Sequence, residues 1–312
     1  MSRLQAAIDR IGPLDEAASA AAAEHLDRLT KPPGSLGRLE ELAIQLAAIT
    51  GEVAPTFDRR AIVVAAADHG VTAQGVSAYP SEVTAQMVGN FVAGGAAINV
   101  LARMARADVL VLDVGLDTAS QLAEEGVRLV GLGEMGIGNT TAASSIVAAL
   151  TGRPPSEVTG RGTGVDVATW RHKVAVIERG FEVNRPDPAD ALGVLAAVGG
   201  LEIAMLVGLA LGVAAERIPV IVDGFVVGAA ALVAARLCPA LPLRLVAAHR
   251  SVEPGHTVVL DELGLRPLLE LGLRLGEGTG AAIAMTLVDA AVHIRDEMAT
   301  FESAGVAERT RI

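Results

Sequence analysis

The sequence predicts an α/β fold in which helices are laid on a parallel sheet, and three observations lead there. From Arg60 onward, short β-branched runs at 61–67, 109–114, 127–132, 219–222 and 243–247 alternate with helical stretches. That is the βαβ rhythm of parallel strands joined by right-handed crossovers. Hydrophobic residues make up 51% of the 312-residue chain, yet aromatics are only 2% and glycines number 34. An interior of Ala, Val, Leu and Ile with closely approaching backbones suits helices on a buried sheet. Finally, the chemically useful residues fall just after the strand runs, where open α/β sheets bind their ligands.

The elements follow in order. The first fifty residues contain nothing like a strand: Ala-rich helical runs cover 15–29 and 37–50, separated by the breaker Lys31-Pro32-Pro33-Gly34-Ser35. Each later strand run leads into a short polar or glycine-bearing segment: Asp68-His69-Gly70, Asp113-Val114-Gly115, Gly133-Glu134-Met135-Gly136, Asp223-Gly224-Phe225 and His249-Arg250-Ser251. These five segments are expected to converge on one cleft. Arg153-Pro154-Pro155-Ser156 and Asn184-Arg185-Pro186-Asp187-Pro188 mark loops. The apolar helix at 203–215 falls short of the roughly 20 residues that span a bilayer. Glu202, Glu216 and Arg217 bracket it, so it reads as a buried helix. The tail at 281–297 is helical, with Asp289, Arg295, Asp296 and Glu297 on its polar side, and is expected to pack with the N-terminal helices as a second, discontinuous layer.

Charge and cysteine content exclude several functions. Lys and Arg total 25 against 36 Asp and Glu, a net charge of −11 that disfavours nucleic acid and anionic membrane as partners. A single cysteine, Cys238, forms neither an internal disulfide nor a Cys-rich metal site and reads as a small buried hydrophobe. Arg3, Asp9 and Arg10 interrupt the apolar run that a secretory signal needs, so a cytoplasmic location is expected.

Gly131-Leu132-Gly133-Glu134-Met135-Gly136 matches G-x-G-x-x-G, but the acidic residue about 20 positions on, Glu157, falls in a Pro-rich loop without a strand. A dinucleotide site is disfavoured. The continuation Gly138-Asn139-Thr140-Thr141 feeds a helix N-terminus and presents hydroxyls and amides to a monophosphate, or else serves only as a packing turn. Gly160-Arg161-Gly162-Thr163-Gly164 is a second amide-rich loop, and Lys173 downstream is placed to add a point charge to the same anion. Leu275-Gly276-Glu277-Gly278-Thr279-Gly280 sets one carboxylate among glycines before an apolar helix. It is either a cap in solvent or a partly desolvated proton acceptor. His249, Glu253 and His256 lie around a Pro254-Gly255 turn whose spacing does not favour a metal site.

Taken together with Leu29-Thr30-Lys31-Pro32-Pro33-Gly34-Ser35-Leu36-Gly37-Arg38-Leu39, with Asp68-His69-Gly70-Val71 and Val222-Asp223-Gly224-Phe225, and with Arg274 ahead of the Glu277 turn, these segments resemble the nicotinate-nucleotide:dimethylbenzimidazole phosphoribosyltransferase family over about residues 31–305. The resemblance implies transfer of the 5-phosphoribosyl group from nicotinate mononucleotide to 5,6-dimethylbenzimidazole with anomeric inversion, giving α-ribazole 5′-phosphate and nicotinate. It implies a homodimer, no metal or organic cofactor, a Rossmann-like three-layer catalytic domain at 55–285, and a smaller helical domain made from 1–54 and 286–312. It further implies that Glu277 is the catalytic base and Glu134 a second functional glutamate. Gly136, Gly138, Asn139, Thr140 and Lys173 would hold the 5′-phosphate and ribose, and Tyr79, Gln86 and Met87 the acceptor base. Tyr79, the only tyrosine, stands where a ring would stack on the base or restrict its pocket. Another acceptor, such as adenine, a different benzimidazole or a phenol, stays open, as does a non-catalytic nucleotide-binding descendant.

Overall fold

A computed structural model describes residues 2–112 and 115–307. Five parallel strands form one sheet in the order β2-β1-β3-β4-β5: β1 Arg60–Ala66, β2 Asp108–Leu112, β3 Leu129–Met135, β4 Val220–Val222 and β5 Leu245–Ala247. Each run expected from the sequence contributes a strand, with shifted ends. β3 continues to Met135 and takes in all of the G-x-G-x-x-G run but its last glycine, Gly136. At 243–244 the chain is still in a 3-10 turn, Leu241–Arg244, and β5 begins only after it. Asp113 and Val114 of the expected second strand and its loop lie outside the described residues.

Side-chain alternation along each strand splits the interior into two cores, making three layers. Ala61, Val63 and Ala65 of β1 share one core with the helices Asn139–Thr151, Leu201–Ala215 and Phe225–Leu237. Ile62 and Val64 face the other, with the helices Arg38–Thr50, Ala97–Met104 and Thr279–Glu297. Leu201–Ala215 is buried along nearly its whole length, as its all-round apolarity predicts.

The chain ends meet on the second face. Leu29 bridges Thr300, and His25 Nε2 lies 2.8 Å from the Arg295 carbonyl oxygen. The breaker at 31–35 is fastened by a buried ion pair, Lys31 to Glu40 at 2.7 Å, while Glu40 also accepts the N–H groups of Gly34 and Leu36. The helix Arg3–Arg10 lies across the molecule instead, with Ala7 buried in the first core. One described stretch, Glu82–Met104, is long and apolar enough by composition to span a bilayer. Left-handed Gly94 breaks it into the helices Glu82–Ala93 and Ala97–Met104.

The register sets the position of the site. Ala65 pairs with Glu134, Leu132 with Val222, and Val222 with Ala247, so the carboxyl ends of β1, β3, β4 and β5 finish side by side. The segments that follow them are therefore neighbours.

Candidate active site

Beyond those strand ends lies a cleft of about 310 Å³, walled by Glu134 to Thr140, Gly162, Thr163, Gly224 to Val227, His249, Ser251, Glu253 and Arg274 to Gly276, with Val76, Ser77 and Tyr79 also in the wall. Of the five segments expected to converge, those after β3, β4 and β5 line it. His69 is buried behind it against Gly136, Asp68 is exposed, and Asp113 and Val114 are outside the described residues.

Glu134 is the penultimate residue of β3 and is buried. Burial, then the carboxylates of Glu202 and Asp223, push it up to about 8, while the Asn139 amide donates to its Oε2 and opposes the shift. Asn139 opens the helix Asn139–Thr151 directly after Gly138, whose φ of 95° admits the sharp entry that only glycine takes without strain. Ile137 N–H donates to Thr84 Oγ1 at 3.1 Å, tying this turn to the helix Glu82–Ala93. The first-turn N–H groups of the Asn139 helix adjoin the cleft, as an anion site requires.

Lys173, on the helix Val167–Asn184, reaches back to Thr140 and donates to its Oγ1 at 2.7 Å. Its ammonium is buried, and burial lowers it to about 8. The two amide-rich loops meet here: a side chain at Gly162 would stand 2.8 Å from Thr140 Oγ1 and 3.4 Å from Lys173 Nζ. Glu253 Oε1 accepts the Gly162 N–H at 2.9 Å, its Oε2 has no partner among the described residues, and burial raises its affinity for a proton. Arg274 donates to the Gly162 carbonyl at 3.2 Å, and Thr163 Oγ1 accepts the Ala78 N–H at 3.2 Å beside Tyr79.

Glu277 adopts φ 62°, the left-handed region in which a residue with a side chain is strained. Its N–H donates to the Glu134 carbonyl at 3.2 Å, so the two glutamates sit on touching backbones. Its side chain is buried and forms no part of the cleft wall, whereas its neighbours Leu275 and Gly276 do. The carboxylate accepts the backbone N–H of Ile98, Oε2 makes no hydrogen bond, and burial raises its pKa. It is thus the desolvated alternative, not a cap in solvent.

Tyr79 is at the cleft, about half exposed. Gln86 and Met87 are not in its wall: Gln86 is exposed on the helix Glu82–Ala93, and Met87 leans on the second core. Sequence reasoning missed the buried pair of His69 Nε2 and Glu202 Oε1 at 2.8 Å behind the glycine turn. It considered Glu253 only as a metal ligand. The signal available was the position of His69 after β1; nothing local pointed to Glu202, 133 residues away. His249 and His256 stack edge to face at 6.1 Å, and His256 Nδ1 accepts the Ser251 N–H.

A glycine turn opening a helix, a buried lysine and adjacent glutamates at the carboxyl ends of a parallel sheet are the layout of an α/β enzyme site, with chemistry suited to a phosphorylated small molecule. A family model described as Phosphoribosyltransferase matches residues 11–121 and 112–306. The chain is 53% identical to the nicotinate-nucleotide–dimethylbenzimidazole phosphoribosyltransferase of a Roseiflexus species, across 98% of this chain and 99% of that one. It is 52% identical to the protein of the same name from Chloroflexus aggregans, across 99% of both. A crystal structure of CobT from Thermus thermophilus superposes with a TM-score of 0.89 at 45% identity, covering 94% of this chain and all of that one. The chain belongs to the nicotinate-nucleotide–dimethylbenzimidazole phosphoribosyltransferase family. The Chloroflexus alignment runs over 350 positions, more than the 312 residues present here, so that relative carries segments this chain lacks. The two matched stretches of the family model overlap at 112–121, from the last residue of β2 into the helix Leu116–Glu124.

Proposed function

We propose that this chain transfers the 5-phosphoribosyl group of nicotinate mononucleotide to 5,6-dimethylbenzimidazole with inversion at the anomeric carbon, releasing nicotinate and α-ribazole 5′-phosphate for assembly of the cobalamin nucleotide loop. Family membership over nearly the whole chain supports the reaction. The observation that carries the mechanism is Glu277, a buried carboxylate with a free oxygen on backbone that touches the carbonyl of Glu134.

In this reading, one benzimidazole nitrogen attacks the anomeric carbon as the bond to nicotinate breaks. The pyridinium nitrogen of the leaving group becomes neutral on departure and needs no strong acid. The proton on the other benzimidazole nitrogen passes to Glu277, whose proton affinity is raised by burial, as a general base requires. Glu134, held by Asn139, orients the ribose. Gly136, Gly138, Asn139, Thr140 and Lys173 hold the 5′-phosphate through the glycine turn, the helix N-terminus it opens and one ammonium. Tyr79, at the cleft wall where Gln86 and Met87 are not, contacts the acceptor base, and its exposed ring sets which base is preferred.

A homodimer and a cytoplasmic location belong to the same reading. Val92, Val100 and Met104 are exposed apolar side chains on the two helices around Gly94, which supports a second copy docking there. The segments 1–54 and 286–312, apart from the helix Arg3–Arg10 that packs into the first core, then form the smaller domain beside the catalytic one at 55–285.

Incubation with nicotinate mononucleotide and dimethylbenzimidazole is expected to release nicotinate and ribazole phosphate in equal amounts. Binding of the nucleotide without release would establish the non-catalytic alternative. Competition among benzimidazole, adenine and a phenol in one reaction ranks the acceptors.

A further inference from the structure

Asp223 follows the last residue of β4, is 1% exposed, and is given no substrate contact in the reading above; its Oδ1 lies 3.8 Å from Nε2 of His249 in the cleft wall. Its carboxylate is committed to the Glu277 turn. Oδ2 accepts the N–H of Gly278 at 3.2 Å, Oδ1 accepts the N–H of Ala281 at 2.9 Å, and the Gly280 N–H also points at the group. These are N–H groups that the first turn of the helix Thr279–Glu297 leaves unpaired, and a carboxylate is the acceptor that satisfies several at once. The turn is gripped from the opposite side as well. A Cβ on Gly133 would come within 2.5 Å of the Glu277 carbonyl and the Gly278 nitrogen, and Thr279 Oγ1 donates to the Gly276 carbonyl at 2.8 Å.

We infer that Asp223 is a positioning residue of this enzyme, fixing the strained backbone of Glu277 so that its carboxylate stands at the acceptor base. The inference rests on the reading of Glu277 as proton acceptor. Without the clamp, a backbone at φ 62° relaxes toward the commoner wells and carries the carboxylate with it. A displacement of about 1 Å at a reacting group costs on the order of 10²-fold in rate. Nucleotide binding, which uses the Gly136–Thr140 turn and Lys173, does not depend on this clamp.

Asp223→Asn turns an amide NH₂ toward at least one of these N–H groups, and Asp223→Ser leaves a single short acceptor. Each is compared with wild type, with Glu277→Gln, and with the double variant carrying Glu277→Gln. The expected result is a fall in kcat of about 10²-fold in the Asp223 variants with KM for nicotinate mononucleotide within twofold of wild type. In the Glu277→Gln background the same change should cost less than threefold, because two residues acting through one group are not additive. A folded Asp223 variant with near-normal kcat overturns the proposal. So does an undiminished loss on top of Glu277→Gln, and so does failure of both variants to fold, which would make Asp223 a structural residue only. Substantial activity in Glu277→Gln alone would instead sink the reading of Glu277 as base, a separate result.

Discussion

Glu277 is costly to hold in place on two counts, in backbone strain of about 1–3 kcal/mol and in burial of a carboxylate that retains an unsatisfied oxygen. Replacement by Gln keeps the shape and removes the basicity, so kcat should fall about 10³-fold while calorimetry finds nicotinate mononucleotide binding unchanged. Glu277→Gly abolishes turnover too, but glycine takes φ 62° freely and buries no charge. Its melting temperature should equal or exceed that of wild type, and a marked drop would show that the side chain stabilises the fold. At Tyr79, replacement by Ala should change the ratio of products formed from competing bases while leaving KM for the nucleotide unaltered. An unchanged ratio would remove the ring from acceptor selection. The side chains at these positions were visible in the sequence as unusual residue types in glycine-rich company. The partners of Glu277 and its turn were not, because Ile98 and Asp223 reach them from segments far away in the chain.

Strand β3 shows how one motif admits two physical origins. Gly131 and Gly133 match a dinucleotide fingerprint by spacing, yet both lie within the strand, where a side chain would have no room. A Cβ on Gly131 would stand 3.1 Å from Ala281 Cβ and Met285 Cε, and one on Gly133 would meet the Glu277 backbone. These glycines let the helix Thr279–Glu297 and the turn before it lie directly on the sheet. Gly133→Ala should therefore cost about 1–3 kcal/mol of stability by overpacking, measurable in urea, and should lower activity by displacing Glu277. Wild-type behaviour in both would show that the contact yields. The sequence places the strand's end at 132 because glycines usually punctuate; only the element packed against them reveals that they continue the strand.

Across the whole molecule, the site concentrates buried ionisable groups whose folded-state proton affinities depart from those of the unfolded chain. Glu134 rises from 4.5 to about 8, chiefly by burial, and Asp223 from 3.8 to about 7, again by burial. Both bind protons more tightly when folded, so the stability they contribute is complete below about pH 4 and is lost as pH rises through 7 to 8. The melting temperature of the ligand-free protein should fall across that window, and Glu134→Gln should flatten the fall. An equally steep decline in the variant would locate the titrating groups elsewhere. Lys173 runs the other way. Lowered by burial from 10.5 to about 8, it loses its charge as pH rises past 8, so the dissociation constant for nicotinate mononucleotide should increase there. A flat profile would remove the ammonium from phosphate binding.

The order of strands and helices, the three-layer plan and the glutamate-bearing turns are set by local chemistry: β-branched runs of strand length, alanine-rich helical stretches, and glycine where the chain must bend sharply. Such features depend on neighbours a few positions away and can be read along the chain. What required tertiary structure is the sharing of β1 as the sheet's pivot, the seating of Glu277 on Glu134, and the clamp of Asp223 on three backbone N–H groups. Each is a contact between segments tens to more than a hundred residues apart, decided by register and close packing, and periodicity in one dimension carries no trace of which distant backbone will be pressed against which.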